Sequence, residues 1–432
     1  MIKQYIKQAW AQARQNKTFT AIYVGGVALA IATTMVFAIV YYVKLAPIYP
    51  EVNRSRTLYV RVAQFTFDNG NSWQWALSLQ GVKEMFYPLK SAEAVSAENT
   101  ISNVCYIQPF DNSGDFSVFT RFVDSAFFRI YEFNYLEGKP FTESDVASGA
   151  RVAVITDKLA SKIFGTSEGV TGKTFTMENM QYRVTGVVEE CASLASSACG
   201  QVYTPYSVVS GYDNVDSNVP IYGAYHVKIL AREGNGAIQA VKDEVAEVVR
   251  KYNSQQSKIK MNIYEEPTTH LEKSFQQYTN QPISWSETIR QYGIIILVLL
   301  LVPALNLSGM IAGRMDTRMM EIGVRKSYGA SRTVLLNQVL VENLTLTLIG
   351  GLIGLLISWG LITLCKDWIF TVVAGSTDFR IYKTTVTGEM LFSPLVFGIA
   401  LLVCVVLNLL SALVPAWNSL RHPIVNSLNA KR

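Results

Sequence analysis

The chain has 432 residues, half of them apolar types and only 16% charged, with a formal net charge of +5 and a mean hydropathy of +0.20. A soluble globular chain carries about 25% charged residues, so a disordered, collagen-like or coiled-coil protein is excluded. Five cysteines and three scattered histidines, His226, His270 and His422, give neither a disulfide scaffold nor a metal-ligand cluster.

From the N-terminus, Ile2, Tyr5, Ile6, Ala9, Trp10 and Ala13 recur every three to four residues, with Lys3, Lys7 and Arg14 beside that stripe. This pattern predicts a basic amphipathic helix over 1–20, suited to the membrane interface. A helix needs about 20 apolar residues to cross roughly 30 Å of hydrocarbon. Four stretches qualify: 21–43, 291–312, 335–365 and 392–414, the last starting at Ser393-Pro394 and stopping at Pro415. The first reads as an uncleaved anchor, because the apolar run continues past Ala28-Leu29-Ala30.

Basic residues set the orientation. Lys3, Lys7, Arg14 and Lys17 precede the first span. Arg314, Arg318, Arg325, Lys326 and Arg332 lie between the second and third, and Arg421, Lys431 and Arg432 follow the fourth. Acids outnumber bases over 44–290, and the 366–391 loop is balanced. Both termini (1–20 and 415–432) and the 313–334 loop are therefore expected in the cytoplasm, and 44–290 and 366–391 outside.

The 44–290 region alternates as strands at Thr57–Val62, Arg151–Ile155 and Tyr182–Val188. It has helical spacing at Asp157–Phe164 and Gly236–Tyr252. The expected fold is thus a membrane protein with four transmembrane helices and a large mixed α/β extracytoplasmic domain between the first two. Cys191 and Cys199 lie in one loop of that domain. In an oxidising compartment they would close a disulfide; the other reading is two free thiols. Cys105 would stay unpaired.

Gly172-Lys173-Thr174 mimics a phosphate loop, but Ser167 stands where that pattern needs glycine, and a hairpin follows rather than a helix. No nucleophile–base constellation is legible, and the short juxtamembrane basic runs argue for anionic lipid, not nucleic acid. The 313–334 segment has helix-compatible apolar positions at Met315, Met319, Ile322 and Tyr328, Gly329 as a helix stop and Ser331 as the next cap. It is either a lever for a cytoplasmic partner or a solvated connector. Gly350, Gly351, Gly354 and Ser358 form a small-residue stripe that suits close helix approach, and Glu342 is costly in lipid unless it faces a partner.

Glu321-Ile322-Gly323-Val324-Arg325-Lys326-Ser327-Tyr328-Gly329-Ala330-Ser331 closely resembles the E-I-G-[IV]-R-K-x-[LFY]-G-A-[ST] signature of MacB/FtsX-type ABC transporter permeases. Pro415-Ala416-Trp417 through Pro423-Ile424 is similar to the family's tail, with Ser419 and His422 as departures. Phe127-Phe128 with Leu136–Phe141, Ile155 through Phe164-Gly165, Gly172-Lys173-Thr174 and Val184–Val188 resemble its extracytoplasmic elements.

The resemblance implies an inner-membrane, multi-pass permease that is not itself an enzyme. Separate cytoplasmic ABC ATPase subunits would bind ATP and Mg, with no cofactor on this chain. A second permease copy or paralogue, and a periplasmic adaptor, would be further partners. ATP-driven motion would pass to the extracytoplasmic domain, for export or extraction of a peptide, antibiotic or lipoprotein. The alternatives are an FtsX-like regulator of a cell-envelope partner and, against the span count, a ligand sensor. Arg314, Glu321, Gly323, Arg325, Lys326 and Gly329 would couple to the ATPase; Gly350, Gly351, Gly354 and Ser358 would meet the second permease.

Overall fold

A computed structural model describes residues 2–101, 103–109, 114–192, 194–215, 219–256, 258–276, 278–317, 319–374 and 394–421. The chain divides into two compact units, an α/β unit over Val43–Ser284 and a helical unit from the flanking segments.

In chain order, α1 (Ile2–Gln15) is the expected short amphipathic helix, and α2 (Lys17–Leu45) holds the expected first span. Its last turn, from Val43, belongs to the α/β unit.

Within that unit β1 (Thr57–Val60), β2 (Ala63–Phe67), β3 (Ser72–Leu77), α3 (Leu79–Met85) and β4 (Ala92–Asn99) come first. Next are β5 (Val104–Gln108), β6 (Phe116–Val123), α4 (Phe127–Ile130), β7 (Tyr135–Gly138), α5 (Glu143–Ser148), β8 (Val152–Thr156) and α6 (Asp157–Phe164). The unit ends with β9 (Thr174–Met177), β10 (Met180–Val188), β11 (Val202–Pro205), β12 (Tyr222–Gly223), β13 (Tyr225–Ala231), α7 (Ala237–Gln255), β14 (Ile259–Asn262), β15 (Thr268–Thr269) and α8 (His270–Phe275).

Two parts of the sheet differ in kind. In the first, β6–β5–β9–β10–β8–β11 closes into a ring, because β11 pairs back onto β6. Closure removes exposed strand edges. Inside sit residues such as Val118, Ile155, Phe175 and Val187, all fully buried. In the second part, β4–β13–β3–β2–β14 runs antiparallel, with α7 packed on β14 and β13.

Local chemistry fixes these elements. Thr156 caps α6, and Thr142 with Asp145 makes a capping box on α5. Glu178 and Asn179, both at positive φ, turn β9 into β10. The Gly172-Lys173-Thr174 run therefore opens a hairpin. Gly138 (φ +71°) pairs across the ladder with Gly186, where a Cβ would lie 2.2 Å from the Thr185 carbonyl oxygen. No larger residue fits there.

The helical unit continues with α9 (Trp285–Thr317), α10 (Met319–Ser327), α11 (Arg332–Ala374) and α12 (Pro394–Arg421). Among the described residues, α2, the 332–365 part of α11 and the 394–418 part of α12 are long and apolar enough to cross a membrane. The expected second span, 291–312, falls inside α9. Pro415 does not stop the fourth helix, which runs through it to Arg421. A proline costs a helix one internal hydrogen bond and a steric clash, and the helix nonetheless continues through it. The third span is expected to end at 365, but α11 continues to Ala374, so residues 366–374 of the expected 366–391 loop are helical. The rest of that loop, Ser393 and the tail beyond Arg421 lie outside the described residues.

Candidate functional site

The signature segment folds as a helical elbow. Glu321 and Arg325 sit one turn apart on α10 and pair at 2.5 Å. Arg325 also donates to Gln338 Oε1 on α11 at 2.7 Å, tying the two helices together. Gly329, at φ +88°, ends α10 in the left-handed conformation, and its N–H and that of Ala330 bond back to Lys326 and Arg325. Ser331 Oγ then accepts from Val334 N at 3.3 Å and starts α11, as expected.

Ile322, Met315 and Leu335 bury the inner face. Gly323 is buried with them. The outer face carries Val324 and Tyr328, the latter 89% exposed. Burial, with Arg332 nearby, lowers the Lys326 ammonium pKa. Arg314 lies on α9, and its side chain falls outside the described residues. Together these make a rigid, charged and partly apolar knob.

The small-residue stripe is used within the chain. A Cβ on Gly350 would meet Val27 at 2.8 Å, and one on Gly354 the Ala28 carbonyl at 2.6 Å, both on α2. Gly351 faces Leu401 on α12, and Ser358 is fully buried. The close approach expected toward a second permease is thus made to α2 and α12 of the same chain. Small residues let backbones come this near.

A second constellation, in the α/β unit, is one that sequence reasoning missed. Arg54, 3% exposed, pairs with Glu51 at 2.8 Å. Its Nη1 donates to the carbonyls of Val43 (2.9 Å) and Ala46 (2.6 Å), and its Nη2 to Leu194 (3.0 Å). His270 Nε2 bonds the Lys44 carbonyl at 3.0 Å. The last carbonyls of α2 are orphaned by helix geometry, and here Val43, and Ala46 just past the helix, take a guanidinium and Lys44 an imidazole.

Glu51 also accepts from Ser197 N and Ala198 N at 2.6 and 2.9 Å. Lys273 bonds Ser197 Oγ and lies over the Tyr59 ring. Deeper in the unit, Glu98 bridges Arg121 and Lys228, and Arg121 holds the carbonyls of Ser196 and Cys199 at 2.6 Å each. Both clusters converge on the 194–199 segment.

Burial pushes the carboxyls of Glu51 and Glu98 up. Arg54 for the one, and Arg121 with Lys228 for the other, outweigh it and bring both down to about 2. Burial lowers Lys273 to about 7 and His270 to about 4. His270 is neutral at pH 7, and its bond to a carbonyl places the proton on Nε2.

Cys191 and Cys199 are buried and not joined by a disulfide in this structure, with Cys199 Sγ 3.5 Å from the Cys191 carbonyl and Cys191 Sγ 3.6 Å from the Tyr203 hydroxyl. Cys105 is free as well. The signal that could have exposed the ionic clusters is a single charge inside an apolar strand: Arg121 in Phe116–Val123 and Lys228 in Tyr225–Ala231.

Comparison with known proteins covers both units. Residues 20–248 match the MacB-like periplasmic core domain, and 293–424 the FtsX-like permease C-terminal domain. The uncharacterized ABC transporter permease YknZ of Bacillus subtilis (strain 168) is 26% identical over 276 residues, 63% of this chain and 63% of its own length. The macrolide export ATP-binding/permease protein MacB of Escherichia coli (strain K12) is 22% identical over 431 residues, 98% of this chain and 60% of its own. The pyoverdine export ATP-binding/permease protein PvdT of Pseudomonas syringae pv. syringae (strain B728a) is 24% identical over 249 residues, 55% and 34%. The matches therefore span less than two thirds of these relatives.

Among solved structures, the extracellular domain of YknZ from Gram-positive bacteria aligns at TM-score 0.34 and 16% identity over 48% of this chain and 99% of that one. The periplasmic region of MacB from Actinobacillus actinomycetemcomitans aligns at 0.32 and 16%, over 48% and 89%.

Proposed function

The chain belongs to the MacB/FtsX-type ABC transporter permease family, and from that premise we propose that it couples ATP hydrolysis on a partner subunit to movement of its α/β unit. The observation that carries this reading is the α10 elbow. Its charged pair Glu321–Arg325 is fixed to α11 through Gln338, and its outer face exposes Tyr328 and Val324. A surface of rigid charge beside exposed apolar side chains suits docking of a folded partner. The elbow is joined directly to two long helices, so a push on α10 acts on both.

In the proposed arrangement four helices span the inner membrane, α9 being the span between α2 and α11. Both termini and α10 face the cytoplasm, and the α/β unit lies outside. ATP and Mg sit on the ATPase, a second permease copy or paralogue completes the transporter, and a periplasmic adaptor joins on the far side. The cargo is a peptide, antibiotic or lipoprotein that is exported or extracted at the outer face.

The test is co-purification with the ATPase in mild detergent, followed by ATPase assays in nanodiscs. Glu321→Arg should break the pair with Arg325 and cut permease-dependent ATPase stimulation at least about tenfold, while the chain keeps its thermal stability. Stimulation unchanged by Glu321→Arg, or no ATPase cross-linked to a Ser327→Cys variant, overturns the reading.

A further inference from the structure

We propose that the α/β unit carries a binding site for a compact organic ligand bearing an ammonium group, in a cleft of about 370 Å³ walled by Asp124, Tyr87, Tyr206 and Glu143. The site stands apart from the ionic clusters above and does not depend on ATPase docking.

Asp124 follows β6 and is 7% exposed. Its Oδ2 accepts from the Tyr87 hydroxyl at 2.8 Å and from Ala97 N at 2.9 Å; its Oδ1 accepts from Phe127 N at 3.1 Å. These donors, and the Ser96 hydroxyl beside the carboxylate, are all neutral. This contrasts with the deeply buried Glu51, Glu98 and Glu266, each of which has a bonded arginine. A buried carboxylate held only by neutral dipoles favours a cation in contact. Burial in fact pushes the Asp124 carboxyl up despite those bonds, and a cation arriving beside it would offset that cost.

The rest of the wall has the same sense. Glu143, at the start of α5, adds a second carboxylate. Glu93 is already paired with Arg56, and Arg129 spends one nitrogen on the Glu93 carbonyl at 3.1 Å. Among the lining residues Arg129 is the one cation, set against Asp124 and Glu143. Leu89, Val95 and Val146 supply apolar wall, and Tyr87 and Tyr206 add aromatic surface. Carboxylate and aromatic rings together are a chemistry that recognises organic ammonium, and a concave site with a few convergent polar groups is the usual form of a small-ligand pocket.

The probe pair is 2-phenylethylamine and its neutral counterpart 2-phenylethanol, titrated by calorimetry and saturation-transfer NMR against the full chain in nanodiscs. The amine should bind at least about tenfold more tightly than the alcohol. Asp124→Asn should erase that preference, Glu143→Gln should reduce it several-fold, and Val95→Trp should block both probes by filling the cleft. Equal binding of the two probes overturns the proposal, as does amine binding that survives Val95→Trp. If Asp124→Asn fails to fold, as judged by its melting curve, Glu143→Gln and Val95→Trp decide the question. Glu143 is exposed at a helix start, so its amide variant keeps the fold.

Discussion

Arg54 shows what one residue can hold together. Its guanidinium serves Glu51, two carbonyls at the end of α2 and one in the 194–199 segment. Arg54→Ala should destabilise the α/β unit by about 3–5 kcal/mol, because it leaves Glu51 charged, buried and unpaired. Chemical denaturation measures this. Arg54→Lys should recover little, since an ammonium cannot reproduce the planar fork.

Acid should act through the same residues. Glu51 and Glu98 lie near 2 in the folded chain against an ordinary 4.5, so as pH falls the unfolded chain takes up protons first. The stability they contribute is whole above about 4.5 and drains away toward pH 2. A urea midpoint that does not fall between pH 5 and 3 would contradict this, and in Glu51→Gln the fall should be shallower. Under an oxidising thiol–disulfide buffer, Cys191 and Cys199 should lose reactivity to a maleimide together in the unfolded chain while Cys105 keeps its own; unchanged labelling of all three would speak for two lasting thiols.

At the scale of elements, much was legible. Asp157–Phe164 and Ala237–Gln255 are helices where their spacing put them, and the turn glycine Gly329 and cap Ser331 do what their residue types predict. The closed strand ring was not legible. β8 is buried at every position, so it reads as an apolar run that names no partner, and which strands pair is a long-range matter. β4 hid for a different reason. Its Ala-Glu-Ala-Val-Ser-Ala-Glu-Asn sequence has little strand preference, and pairing with β13 and β6 imposes the conformation.

The glycine stripe was found, but sequence spacing cannot say which helix fills it. Gly354→Val should push α2 from α11, lowering the melting temperature of the detergent-solubilised chain by several degrees. Gly360→Val, on the same helix with open space around its Cβ position, should change it little. Equal effects of the two would deny the close contact.

For the molecule as a whole, composition sufficed to separate apolar spans from an α/β unit, because lipid demands long uncharged helices. It could not reveal the ionic clusters, whose members, Glu51 and Arg54 apart, lie far from one another in sequence and meet only after folding. Topology is open to a direct check. A cysteine at position 72 should react with an impermeant maleimide added outside intact spheroplasts, and one at 327 only after permeabilisation; the reverse pattern would invert the proposed orientation.

The bonded end of α2 bears on mechanics. A helix whose final carbonyls are free can absorb a twist by uncoiling its last turn, like a rope fraying at the tip. With Val43, Lys44 and Ala46 all tied to buried cations or imidazole, that slack is absent. Under the proposed coupling, rotation entering the rod at one end is expected to leave it at the other as rotation.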